Sequence, residues 1–258
     1  MSGSLSRRDL VLAGAAFISI SGRSQARTYG GAVPWTPGIA DAPRGVAEGE
    51  LKFFTAAEAA FVDAAVARLI PADHLGPGAK EAGVTTFLDR QLAGPYGRAE
   101  RWYMQGPWQD GTKSQGYQSR LSPAELYRVA IKSIDQHCRQ RFSGKTFAQL
   151  SADQQDRILT EIEKGKLKIE DIGPHAVAIE GAKGPHSDTF FAVLMQNTIE
   201  GFFSDPIYGG NRDMVGWKLI GFPGARYDYR PYVGRHGEKL DLAPVGIRGR
   251  PAWNDQQS

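Results

Sequence analysis

The sequence predicts a predominantly α-helical protein, a single helical domain with long Gly/Pro-rich loops and extended N- and C-terminal arms. Apolar residues recur at helical spacing in several stretches that begin with capping signals, and no stretch shows the sustained alternation typical of strands. The 31 glycines and 15 prolines crowd both ends and the stretch 206–231, which predicts long loops there. A chain of 258 residues can bury one sizeable core, so we expect one domain.

The domain plan has four parts, which are a signal peptide (1–26), an extended arm (27–52), the helical domain (53–231) and an extended C-terminal tail (232–258). In the first part, the pair Arg7-Arg8 precedes a short apolar run and small residues end at Ala26. The apolar run is shorter than the roughly 20 residues that a membrane-spanning helix needs. The arginine pair with its flanking residues resembles a twin-arginine export signal, and Arg23 favours that route over an ordinary secretory signal.

The first two helices of the domain have clear ends. Thr55 and Glu58 form a capping box, and the helix that they begin should stop at Pro71. A shorter helix is predicted over 85–92 and ends at Gly94-Pro95, after which 96–116 reads as an irregular aromatic loop. The residues predicted to face the core are Phe61, Val62, Ala65, Val66, Leu69, Phe87, Leu88 and Leu92.

The remaining three helices follow the same logic. Ser122 with Glu125 begins the clearest helix. Ser151 with Gln154 begins the next helix, which ends before Gly165. A last long helix is predicted over 188–203, with Ser187 as its cap. The predicted inward residues are Leu126, Val129, Ala130, Ile134, His137, Cys138, Ile158, Leu159, Ile162, Phe191, Leu194, Met195 and Phe202. We interpret His137 as a satisfied, partly buried histidine and Cys138 as a small core residue.

No motif in the chain would hold a cofactor. One cysteine excludes an internal disulfide, a CxxCH haem attachment and an iron-sulfur cluster held by four cysteines of this chain, and dinucleotide, phosphate-loop and zinc motifs are missing. A formal net charge of +3 leaves no electrostatic footprint for nucleic acid. Since the twin-arginine route mostly serves proteins that acquire cofactors in the cytoplasm, we expect this chain to carry the export signal for a cofactor-bearing partner.

Catalytic chemistry has one set of candidates. Glu200, Asp205 and Asp213 could form an acid pair or an oxygen-ligand metal site in an independent periplasmic enzyme. A structural interpretation is more economical, because Asp205-Pro206 is typical of a turn and Asp213 suits the capping of a helix opened by Asn211. The five histidines show no metal-ligand spacing. We therefore predict no catalytic, cofactor-binding or metal residues.

The stretch 202–222 mixes aromatic residues, glycines and amide or charged groups, as protein interfaces do. We predict a partner interface there; its candidate residues are Tyr208, Asn211, Arg212, Trp217 and Phe222. Two other interpretations stay open. The stretch could be a glycine-rich core loop, or the chain could be a sugar-binding module built on Trp102, Trp108 and Trp217.

Four strings carry a family resemblance: Arg68-Leu69-Ile70-Pro71-Ala72-Asp73, Gly94-Pro95-Tyr96-Gly97, the run from Asp205 to Asp213, and the run from Gly216 to Gly224. In these residues the sequence resembles the gluconate 2-dehydrogenase subunit 3 family, the gamma subunits of flavoprotein dehydrogenase complexes. The insert-like segment 172–185 departs from the pattern, and its role is open.

The resemblance implies a heterotrimer in which a large subunit with FAD oxidises a sugar or sugar acid and a multihaem cytochrome c subunit with haem c receives the electrons. It implies that the small subunit supports folding, export and stability of the FAD subunit and has no catalytic residues. We therefore expect a non-catalytic accessory subunit in the periplasm, associated with the inner membrane through its complex. The alternatives are the independent enzyme and the sugar-binding module.

Overall fold

A computed structural model of the chain describes residues 50–106, 112, 115–117, 119–169, 186–225, 230–238 and 242–247. In these residues the chain forms six α-helices and no strand, which confirms the predicted fold class. The helices are α1 (Ala56–Leu69), α2 (Val84–Ala93), α3 (Pro123–Arg141), α4 (Ala152–Glu163), α5 (Ser187–Phe203) and α6 (Val215–Ile220). Short 3-10 turns occupy Phe147–Gln149, Pro206–Tyr208, Arg212–Met214 and Arg230–Tyr232. Within the described ranges, no helix combines the length and apolar character that a membrane span requires.

Three helices begin with capping boxes, and all three start where the sequence predicts. At α1 the NH of Thr55 donates to Glu58 Oε2 at 2.8 Å, and the Thr55 hydroxyl accepts from the NH of Glu58. The same reciprocal pairs start α3 and α4 at Ser122 and Ser151. Each box satisfies backbone NH groups that have no partner inside the helix, so the start of each helix is encoded locally.

The start of α5 differs from the prediction. Ser187 does not cap this helix; it is the first helical residue, and its fully buried hydroxyl has no hydrogen-bond partner among the described residues. His186 is the capping residue, without a side-chain cap bond. An isolated antiparallel bridge pairs His186 with Lys168, which holds His186 in extended backbone, so the helix begins immediately after it.

α5 is the central helix of the core, since it contacts each of the other five helices. Its inward face differs in part from the prediction, because Leu194 and Phe202 are buried as expected, but Phe191 and Met195 are only half-buried and Phe190 takes the interior position. The run from Phe190 to Met195 is six consecutive apolar residues, so the hydrophobic pattern alone does not define the rotation of α5.

Polar groups also join the elements. The buried amide of Asn197 on α5 donates to the Tyr127 hydroxyl of α3 at 3.1 Å and accepts from the Tyr96 hydroxyl at 3.1 Å. This pairing satisfies both ends of a buried amide and ties α5 to α3 and to the loop after α2.

The predictions for His137 and Cys138 have different outcomes. Cys138 is fully buried as predicted, and burial raises the pKa of its thiol to about 12. His137 is half-buried, but its Nε2 has no hydrogen-bond partner among the described residues, so the prediction of a satisfied histidine is wrong. Its nearest acid is Glu161 at 3.9 Å, whose oxygens instead accept from Arg141 at 2.8 Å.

Candidate functional site

The stretch predicted to form the interface folds over the C-terminal end of α5. The 3-10 turn Pro206–Tyr208 contacts the turn Arg212–Met214, which contacts α6, and α6 packs back on α5. Asp205 starts the first turn, as predicted, because its Oδ1 accepts from the NH of Ile207 at 3.0 Å. The local chain reversals thus place α6 beside the end of α5.

Two glycines allow this packing. A Cβ at Gly210 would lie 2.2 Å from the carbonyl oxygen of Gly201, and one at Gly216 would lie 2.2 Å from that of Phe202. Neither position leaves room for a side chain, because both carbonyl oxygens belong to the backbone of α5. These glycines therefore serve close contacts inside the subunit.

Asn211 and Trp217, both predicted to lie at the interface, are placed in the interior. Asn211 is 0% exposed; its Nδ2 donates to the Ser204 carbonyl and its Oδ1 accepts from the NH of Gly216, both at 2.8 Å. Trp217 is 5% exposed, and its Nε1 donates to the Phe203 carbonyl at 2.7 Å. These two side chains hold the stretch against α5 and make their hydrogen bonds within the subunit.

The other three predicted residues lie at the surface. Tyr208 is 49% exposed and Phe222 is 43% exposed, with the Phe222 ring edge-on to Trp217 at 5.2 Å. Arg212 is exposed, yet its backbone NH donates to the Ala82 carbonyl at 2.9 Å and its guanidinium lies over Gly83. Arg212 thus contacts its own subunit, whereas Tyr208 and Phe222 present aromatic rings to solvent.

Two exposed apolar residues beside Phe222 were not predicted from the sequence. Leu219 and Ile220 at the end of α6 are 48% and 60% exposed. Leu219 lies two positions after the inward-facing Trp217 and therefore on the opposite side of α6, whereas Ile220 is the last residue of the helix. We define the exposed side chains of Leu219, Ile220 and Phe222 as the α6 surface.

A C-terminal segment borders this region. Val245 forms a parallel bridge with Gly224, and the NH of Ile247 donates to Asp205 Oδ2 at 2.7 Å. Residues 245–247, in the stretch predicted to be an extended tail, therefore contact Asp205 at the start of the first turn and Gly224 after α6, with Ile247 half-exposed.

The three acidic candidates, Glu200, Asp205 and Asp213, each have a different place in the structure. Glu200 accepts from Gln196 at 2.8 Å, and Asp205 is committed to its turn. Asp213 does not help Asn211 to cap a helix; it lies inside a 3-10 turn at φ 54°, and Asn211 makes no cap bond there. In the part of the chain that the structure describes, no three His, Cys, Asp or Glu side chains converge as a metal site would require.

The tryptophans proposed for a sugar site have different surroundings. Trp217 is buried in the subunit. Trp102 is partly exposed and packs against the rings of Tyr96 and Tyr117 at 5.7 and 5.1 Å. Trp108 lies outside the described residues, as do Arg7, Arg8 and the segment 172–185.

The comparison with known families agrees with the resemblance in the sequence strings. The model of the family described as gluconate 2-dehydrogenase subunit 3 matches residues 56–224, which cover all six helices. No curated protein and no solved structure matched the chain. Because the family match spans more than half of the sequence, the chain belongs to the gluconate 2-dehydrogenase subunit 3 family.

Proposed function

We propose that this chain is the non-catalytic small subunit of a periplasmic flavoprotein dehydrogenase complex of the gluconate 2-dehydrogenase type. Its role is to support folding, twin-arginine export and stability of a large subunit that contains FAD, and the complex passes electrons to a multihaem cytochrome c subunit. Family membership supports a place in such a complex. The signal with Arg7-Arg8 supports export of the folded complex through this chain.

The observation that carries the proposal is the α6 surface. Leu219, Ile220 and Phe222 are exposed, while the buried Trp217 and Asn211 fix the backbone that presents them. An exposed apolar group on a rigid support is typical of a surface that a partner covers, because binding then orders few side chains. The aromatic ring of Tyr208 on the neighbouring turn adds a side chain common at interface centres.

Co-expression tests the escort role. The FAD subunit should reach the periplasm, with bound flavin and dehydrogenase activity, only when this chain is expressed with it, because the chain supplies the export signal. Fractionation with flavin fluorescence and a dye-linked activity assay measures the result. A large subunit that reaches the periplasm unaided would contradict the proposal.

The proposal that this chain holds no cofactor has its own test. Purified alone, the small subunit should be colourless, and flavin and haem absorbance should remain with the partner subunits after dissociation. Visible absorbance that stays with this chain would contradict a cofactor-free role.

A further inference from the structure

An open groove of about 650 Å³ runs along the outer face of α5 and reaches the end of α4. We call it the α5 groove. Its apolar floor consists of Phe191, Met195 and Ile199, and three carboxylate side chains lie at its edges: Glu163, Asp188 and Glu200. The α6 surface is formed by other residues, which are Leu219, Ile220 and Phe222.

The floor is a continuous row on one helix face. Phe191, Met195 and Ile199 are four residues apart, so they stack along α5 over roughly 12 Å. Phe191 and Met195 are half-buried and Ile199 is 45% exposed. A row of three large apolar side chains left open beside a well-packed core is the kind of patch that marks an interaction site.

The edges of the groove are acidic. Glu163 and Asp188 are exposed, and among the described residues the side chain of Glu200 accepts one hydrogen bond, from the amide of Gln196. None of the ion pairs between described residues involves any of these three carboxylates. An apolar floor between acidic edges is complementary to an apolar stripe flanked by basic side chains.

We propose that the α5 groove is a docking site for a basic amphipathic helix from another protein chain. Apolar side chains at positions i, i+4 and i+7 of that helix lie on Phe191, Met195 and Ile199, and its flanking Lys or Arg side chains approach the carboxylates at the edges. Two helical turns span about 11 Å, close to the length of the row. The flexible thioether of Met195 adapts to different apolar partners.

The test uses the full mature chain with one added thiol. Cys138 is fully buried, so Gln196→Cys provides the accessible thiol in the groove, and Lys132→Cys on the exposed face of α3 provides a matched control. The probes are two helical peptides of about four turns, one with a leucine stripe and lysine flanks and one with the same stripe and glutamate flanks. The rate of maleimide labelling is measured with each peptide.

At a peptide concentration ten times its Kd, the lysine peptide should slow labelling of Gln196→Cys about tenfold and leave Lys132→Cys unchanged. Glu163→Lys with Glu200→Lys should abolish that protection, whereas Asp153→Lys, an exposed acid of α4 outside the groove, should preserve it. Equal protection by both peptides, no protection by either, or protection that grows with subunit concentration alone would overturn the proposal, the last by indicating a second copy of this chain. Because the isolated subunit is used, the result is independent of the export test above.

Discussion

Asp89 of α2 accepts a hydrogen bond of 2.9 Å at Oδ1 from the backbone NH of Phe54, which lies 35 residues earlier in the chain. The same carboxylate accepts from the NH groups of Lys52 and Phe53 at 2.7 and 2.9 Å. The Asp89 residue is only 1% exposed. Three successive NH groups before α1 therefore depend on one buried carboxylate of the next helix.

We expect Asp89→Ala to lower the free energy of unfolding by about 3 kcal/mol, because it leaves buried NH groups without an acceptor. Asp89→Asn should cost less, since one carbonyl oxygen remains. Urea denaturation of the mature chain measures both. Asp153→Ala, at an exposed position of α4, is the control and should change stability by less than about 1 kcal/mol. Equal effects at positions 89 and 153 would contradict the structural role of Asp89.

The close approach of α6 to α5 gives a second prediction. Gly210→Ala and Gly216→Ala should each destabilise the subunit by about 2 kcal/mol or more, because the new Cβ would meet backbone carbonyl oxygens that cannot move aside. Gly234→Ala is the matched control, since nothing lies within 4 Å of the added carbon. Thermal unfolding should therefore separate the first two variants from the third, and a uniform response would argue against the internal role of these glycines.

A third prediction separates interface from core within one stretch. Tyr208→Ala and Phe222→Ala should weaken binding of the FAD subunit by about 2 kcal/mol each if they lie at the interface centre. The melting temperature should hardly change, because both rings are already half-exposed.

Trp217→Ala should have the opposite pattern, with a loss of about 3 to 5 kcal/mol of folding stability. Pull-down together with differential scanning calorimetry measures both effects. If the Tyr208 and Phe222 variants melt much lower and still capture the partner, the interface lies elsewhere.

The ion pair between Arg68 and Asp156, joined by two hydrogen bonds, predicts that the stability of the fold depends on pH. Two bonds of 2.7 Å join Arg68 of α1 to Asp156 of α4, and the hydrogen bond from Arg68 lowers the pKa of Asp156 below its ordinary value of 3.8. A lowered pKa in the folded state stabilises the fold above pH 3.8 and loses that effect as the pH falls through the lowered value. Solvent screens this pair, because both side chains are partly exposed.

Asp156→Asn should therefore cost about 0.5 to 1 kcal/mol at pH 7 and progressively less below pH 3.8. Arg68→Gln should cause the same loss at pH 7, and the double variant should add little. Chemical denaturation across the pH series tests this, and a cost that is constant with pH would exclude the ion pair as its source.

The export prediction concerns Arg7 and Arg8. Replacing both by lysine should block export, because the compact ammonium group does not reproduce the planar guanidinium fork. The small subunit and its partner should then both accumulate in the cytoplasm. An unchanged periplasmic yield of this chain would exclude the twin-arginine route.

The family and the helical fold could be predicted from the sequence because their signals are local. A capping box lies within four residues, as at Thr55 and Glu58, and a proline or glycine ends a helix whatever lies opposite. The turn at Asp205 was predictable for the same reason, since its carboxylate binds an NH two residues later.

The division of the candidate site into interior and surface was decided by the tertiary structure. The sequence marked Asn211, Trp217 and Phe222 alike, and only the packing of α6 on α5 buries the first two and exposes the third. The same holds for the rotation of α5, where Phe190 is interior and Phe191 lines a groove. Burial depends on neighbours that are distant along the chain, such as the Ala82 carbonyl bound by the NH of Arg212, so no local pattern carries that information.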